Sequence, residues 1–185
     1  GSRFNSKTNG VTPRRWLILC NPGLSDLVRE SIGQEWEKDL TKLRQLVPHC
    51  QSVNFLERFA LIKRNNKVLL SNWLKLHHGF SVDPDSMFDV QIKRIHEYKR
   101  QLLNALHIVS LYVYLREHPN SDMTPRTCFF GGKAAPGYHM AKLIIKFINN
   151  LAEVINHDPR VRGRLRVHFL PDYNVSLAER IIPAA

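Results

Sequence analysis

Three times between residues 88 and 182 a short β-like run is followed by a long helical pattern, and this alternation narrows what the chain can fold into. Residues 88–95 alternate, with Phe88, Val90 and Ile92 apolar among mostly polar neighbours, and read as a strand. Residues 98–117 read as a helix with Leu102, Leu106, Val109 and Val113 on one stripe, closed by Pro119-Asn120. Residues 126–130 form a second strand running into Gly131-Gly132. Residues 139–155 form a second helix with Met140, Leu143, Ile144, Phe147, Leu151 and Val154 facing inward. Leu165–Leu170 is a third strand, and residues 175–182 begin a third helix. Strand and helix in alternation imply βαβ units, a parallel sheet and right-handed crossovers. The fold class is therefore α/β, with a partial Rossmann-like sheet of about three strands. Such a sheet is small, so the chain reads as cut at Pro183-Ala184-Ala185 rather than finished.

The first 85 residues have a different rhythm. Gly1-Ser2 reads as a scar of tag removal. Residues 3–15 read as an irregular lead-in, and 16–20 as a short apolar run stopped by Asn21-Pro22-Gly23. Helical spacing recurs over 25–31, over 39–46 with Pro48 as its end, and over 53–76 with Gly79 as its stop. The pair Asn65-Asn66 marks a candidate interruption of the last helix. The domain reading is a helical segment over 3–85 followed by the Rossmann-like part over 86–185.

Composition excludes several classes. No apolar run approaches the ~18 residues of a membrane span. Three scattered cysteines, Cys20, Cys50 and Cys128, with no CxxC, suggest neither a disulfide framework nor a zinc ribbon, and no metal site is expected. The net charge of +11 favours anionic partners, but the basic residues form no block of the kind that makes a disordered nucleic-acid tail.

The richest chemistry lies where the first strand turns into its helix, in Lys93-Arg94-Ile95-His96-Glu97-Tyr98-Lys99-Arg100. Open α/β sheets bind ligands beyond the carboxyl ends of their strands, and helix N-termini favour anions. Lys and Arg there would hold a phosphate, or would simply be solvated in a surface loop. Gly131-Gly132-Lys133-Ala134-Ala135-Pro136-Gly137-Tyr138 follows the second strand. It matches neither GxxxxGK[ST] nor GxGxxG, and by spacing alone reads as a tight turn with a glycine at positive φ. Asp172-Tyr173-Asn174, after the third strand, either completes a three-loop site or caps a helix. His77-His78 reads as a helix-end cap rather than a metal site.

Read together, these segments resemble the α-glucan (glycogen or starch) phosphorylase family. The resemblance is carried by Lys7-Thr8-Asn9-Gly10-Val11-Thr12-Pro13-Arg14-Arg15-Trp16, Cys20-Asn21-Pro22-Gly23-Leu24, the run from Phe88 through Lys93-Arg94-Ile95-His96-Glu97-Tyr98-Lys99-Arg100 to Leu102, residues 131–142, and Val175-Ser176-Leu177-Ala178-Glu179. It implies an enzyme of two Rossmann-like domains (GT-B) that cleaves α-1,4-glucan with inorganic phosphate to give glucose 1-phosphate. It implies pyridoxal phosphate, whose own phosphate group takes part in the chemistry. By that match Lys93, Arg94 and Lys99 would surround the cofactor and substrate phosphates as catalytic cations. Trp16 and Tyr173 would join Lys93 and Lys99 in holding the cofactor. Asn9, Arg94, His96, Tyr98 and Tyr138 would meet the substrate. The resemblance further implies a homodimeric parent, no membrane or nucleic-acid partner, and a cytoplasmic location, or a plastid one for a plant source. The glycine-rich motif with the cofactor-attaching lysine does not occur in these 185 residues, so the isolated chain is expected to be inactive. The competing reading is a stand-alone basic module for phosphorylated ligands or nucleic acid. Stacking aromatics suited to single strands are not evident for it.

Overall fold

The computed structural model describes residues 12–185, which fall into two compact units meeting in sequence at Asn66 and Lys67. Every regular element among the described residues of the first unit is helical. Arg14–Leu19 is a π-helical turn, with the Cys20 N–H donating to the Arg15 carbonyl at 3.0 Å. Arg14 and Arg15 are thus helical rather than part of an irregular lead-in, Pro13 presetting the start at φ −61°. Helix α1, Pro22–Ile32, begins where Asn21 accepts from the Leu24 N–H and ends at Gly33, whose φ of 79° suits a residue without a Cβ. A 3₁₀ stretch, Leu40–Gln51, is capped by the Asp39 carboxylate. It runs through Pro48 instead of ending there, because proline's fixed φ is compatible with helical backbone and removes only one donor. Helix α2, Val53–His78, passes through Asn65-Asn66 without a break and stops at Gly79, φ 75°. The Asn66 side chain donates to Asn21 at 3.0 Å, which makes that asparagine a tie between α1 and α2 rather than a breaker.

The second unit holds the sheet. Strands β1 (Met87–Ile92), β2 (Arg126–Gly131) and β3 (Leu165–Leu170) are parallel, in the order β1-β2-β3. Helices α3 (Gln101–Glu117), α4 (His139–His157) and α5 (Val175–Ala184) follow them in turn. The central strand is buried from Thr127 onward, as expected for a parallel strand covered on both faces. Cys128 and Phe130 face one cluster with Ile108, Leu115, Ile144, Ile148 and Ile155 of α3 and α4. Phe129 faces the other, with Leu70 and Leu74 of α2, Phe88 of β1, and Leu177 and Ile181 of α5.

Both long helices are turned about one residue from the expected stripe. In α3 the buried positions are Gln101, Ala105, Ile108, Tyr112 and Leu115, whereas Leu102, Leu106 and Val113 are exposed. In α4 they are Ala141, Ile144, Ile148, Leu151 and Ile155, with Met140, Leu143 and Val154 exposed. Counting large apolar side chains passes over Ala105 and Ala141, both fully buried. Small residues on the inner face allow close helix approach, so the true stripe runs through them.

Candidate active site

The three βα turns sit side by side at the carboxyl ends of the strands. The ladder between β1 and β2 continues one step past the strands, the Lys93 N–H donating to the Gly131 carbonyl at 3.0 Å and Ile95 N–H to Lys133 at 3.1 Å. Gly132 is required by this closeness. A Cβ there would stand 2.0 Å from the Lys93 carbonyl oxygen and 3.1 Å from Ile95. None of Gly131, Gly132 and Gly137 has positive φ, so close approach of two loops, not a left-handed turn, explains the glycine at 132. The third loop touches the second, since a Cβ on Gly131 would lie 3.5 Å from Tyr173.

The basic segment is neither strand nor helix over most of its length. β1 ends at Ile92, Glu97–Lys99 forms one 3₁₀ turn, and Arg100 is left-handed at φ 62° before α3 starts at Gln101. Two buried contacts hold it. Ile95, 2% exposed, is the hydrophobic anchor. Gln101, fully buried, donates from Nε2 to the Arg94 carbonyl at 3.0 Å and accepts the His96 N–H at 3.4 Å. A second amide chain, Asn104 to Gln91 at 3.0 Å and Gln91 to the Lys99 carbonyl at 3.1 Å, fixes the far end of the turn. These amides give the irregular backbone of the segment hydrogen bonds that neither strand nor helix supplies there.

On this frame Lys93 and Arg94 project to solvent, and Lys99 is half-buried with Nζ 4.8 Å from the Tyr98 ring centre. Among the described residues no carboxylate lies within ion-pair distance of any of the three. The one acidic residue in the segment is committed elsewhere: the Tyr138 hydroxyl donates to the Glu97 carboxylate at 2.6 Å, and the Glu97 N–H donates back to that hydroxyl at 3.2 Å. The carboxylate holds the Tyr138 phenol above its ordinary pKa, and burial does the same for Tyr173. His96 Nδ1 accepts from the Tyr98 N–H at 3.4 Å, and its ring lies 4.4 Å from that of Tyr98 and 4.8 Å from that of Tyr138.

The structure thus brings together Lys93, Arg94, His96, Tyr98, Lys99 and Tyr138, with Tyr173 beside them across Gly131. Trp16 belongs to the first unit, half-buried in the π-helical turn. Asn9 lies outside the described residues. Asn174 accepts the Leu177 N–H at 3.0 Å and so caps α5. His77 bonds the Trp73 carbonyl at 2.9 Å within its own helix. Sequence reasoning did not single out Gln101, Gln91, Asn104 and Glu97. Only Gln101 carries a signal, as a polar residue on the otherwise apolar buried stripe of α3.

A family model for carbohydrate phosphorylases matches residues 1–185. This chain belongs to the carbohydrate phosphorylase family. It is 54% identical to the muscle glycogen phosphorylase of Rattus norvegicus over 183 residues, 99% of this chain and 22% of that protein. The brain form of Homo sapiens gives 54% over the same shares, and the muscle form of Oryctolagus cuniculus 53%. This phosphorylase chain therefore spans about a fifth of the length of the curated relatives it matches, and the loop cluster lies inside the matched region. Among the described residues no helix is long and apolar enough to cross a membrane.

Proposed function

We propose that this chain forms the phosphate-facing part of an α-glucan phosphorylase, an enzyme that cleaves α-1,4-glucan with inorganic phosphate to release glucose 1-phosphate. The observation that carries the reading is the set of three cations, Lys93, Arg94 and Lys99, unpaired by any described carboxylate at the carboxyl ends of parallel strands. Two phosphates held together repel by roughly 4 kcal/mol per pair of unit charges at ~4 Å and an effective dielectric of 20. A cluster of fixed, uncompensated cations is what offsets that repulsion.

Lys93, Arg94 and Lys99 bind and orient the phosphates in this reading, Arg94 by its planar fork and the lysines as point charges. Tyr98, His96 and Tyr138 meet the sugar in this reading, with Glu97 holding Tyr138 in place through the 2.6 Å hydrogen bond, and the family resemblance gives Asn9 the same substrate. The donor set of the second unit suits pyridoxal phosphate, whose phosphate Lys93 and Lys99 would hold and whose ring Tyr173 would meet, and the family resemblance assigns Trp16 to the same cofactor. When bound, that group supplies a phosphate able to exchange a proton with the substrate phosphate. Residues 86–185 are the first part of a larger Rossmann-like domain, one of two in a GT-B enzyme. The parent is a cytoplasmic homodimer.

By itself the 185-residue chain does not phosphorolyse glucan. Tyr98 is 67% exposed and Arg94 is open to solvent, whereas this chemistry needs a water-excluded cleft. The test is a titration of the purified chain with pyridoxal phosphate followed by phosphorus NMR, alongside an assay with maltodextrin and inorganic phosphate. Saturable binding that Lys99→Ala weakens, without glucose 1-phosphate formation, is expected. Binding indifferent to Lys99→Ala would overturn the assignment of the cations, and turnover above a protein-free blank would overturn the inactivity.

A further inference from the structure

The loops at the carboxyl ends leave a second polar feature unexplained. Beside the amino-terminal halves of β2 and β3 lies a half-open groove of about 740 Å³, lined by Phe80, Asp83, Arg162, Gly163, Arg166 and His168 among others. All of these residues belong to the second unit.

Arg166 is held in place. Its Nη1 donates to the Asn156 carbonyl at 2.5 Å, and the Asn156 side chain is itself fixed to the backbone of Val167 by bonds of 2.8 and 3.0 Å. The remaining edge of the guanidinium lies along Gly163, where a Cβ would meet Nη2 at 3.6 Å and Nε at 3.9 Å. Arg162 and Gly163 are both left-handed, at φ 51° and 72°. The Arg162 side chain is exposed and has no hydrogen-bond or ion-pair partner among the described residues, and the Gly163 N–H is likewise unpaired among them. His168 forms a neutral wall: its ring stacks on Phe80 at 4.1 Å, and burial pushes its pKa down to about 4. Asp83 is the one carboxylate on the lining.

We propose that this groove binds a small phosphate-class oxyanion, with the Nε–Nη2 edge of Arg166, the Arg162 guanidinium and the Gly163 N–H as donors. A guanidinium edge matches two oxygens of such a group, and an adjacent backbone N–H in a left-handed pair extends the concave donor surface. Asp83 offsets part of the positive charge and selects against long polyanions.

The proposal does not rest on the phosphorylase reading, and its test separates the two sites. Nitrogen-15-labelled chain is titrated with inorganic phosphate at constant ionic strength, with chloride as the control. The Gly163 amide and the Arg166 Nε–H are expected to shift along a saturating curve, unchanged in Lys99→Ala. Arg162→Gly keeps the left-handed backbone and should weaken binding roughly five- to tenfold, the loss of one charge-assisted hydrogen bond. Asp83→Asn should tighten it. Should Arg162→Gly fail to fold, the wild-type Arg166 Nε–H titration still decides. Signals that stay still, that follow chloride equally, or that lose their response in Lys99→Ala would overturn the site.

Discussion

The two units differ most in what they bury. From Lys67 onward two apolar clusters enclose the sheet, whereas among the described residues of the first unit only Leu27, Val28 and Trp36 are buried apolar side chains. Helix α2 carries the contrast within itself. Val53, Leu56, Phe59 and Leu61 in its first part are exposed, and Leu70 and Leu74 in its second part are buried. The βα loops therefore stand on the unit that has a core of its own, with Ile95 in the cluster shared by α3 and α4 and Gln101 of α3 holding the Arg94 carbonyl.

Four perturbations sharpen or break this contrast. Phe129 is 1% exposed and meets Phe88 edge-to-face at 5.1 Å. Phe129→Ala should cost about 3–5 kcal/mol in urea unfolding of the sheet unit. A loss under ~1 kcal/mol would mean that this core is not what holds the unit together.

His168 gives the next effect. Its folded-state pKa is depressed from 6.5 to about 4 by burial, so the unfolded chain binds the extra proton between those values. Stability is then fully present above pH 6.5 and is lost as pH falls toward 4, by an amount on the order of 3 kcal/mol. His168→Phe, which keeps the stack on Phe80, should flatten that part of the stability–pH curve. An unchanged slope would assign the loss to other groups.

Gly132→Ala forces a Cβ to 2.0 Å from the Lys93 carbonyl, so the two loops must part. The expected cost is about 1–3 kcal/mol, with weaker phosphate binding at the loops. Melting and binding both unaltered would show that the closeness of the loops is not needed. Smallest of all, Leu61→Ser should change stability by no more than about 0.5 kcal/mol, because the side chain is 58% exposed. A large loss would show that Leu61 is buried in solution and that the first unit is better packed than described.

Much of this was legible in residues. Leu165–Leu170 is bounded in the structure as the alternation predicts, and β2, α4 and α5 lie within two residues of their expected bounds, whereas β1 ends at Ile92 instead of 95 and α3 starts at Gln101 instead of 98 because Glu97–Lys99 forms a 3₁₀ turn. The face of α3 was not legible and that of α4 only at Ile144 and Leu151, because apolar side chains surround α3 and the alanines Ala105 and Ala141 that mark the inner stripes carry little hydropathy. The cationic cluster was readable because Lys93, Arg94 and Lys99 sit at a strand-to-helix turn. Its support was not. The Gln101 clamp, the Gln91–Asn104 relay and the contact that demands Gly132 join residues that only the folded loops bring together. The left-handed Arg100 also left no mark, since arginine is not a residue that signals positive φ.

The central claim is that the loop cluster is formed within this chain. It is tested most directly by thermal unfolding of the purified protein with and without pyridoxal phosphate, beside Lys99→Ala. The account predicts a cooperative melt that rises with ligand, by about 2.7 kcal/mol of stability at a hundredfold excess over Kd, and a rise that disappears in the variant. A melt blind to the ligand, or one raised equally in Lys99→Ala, would contradict it.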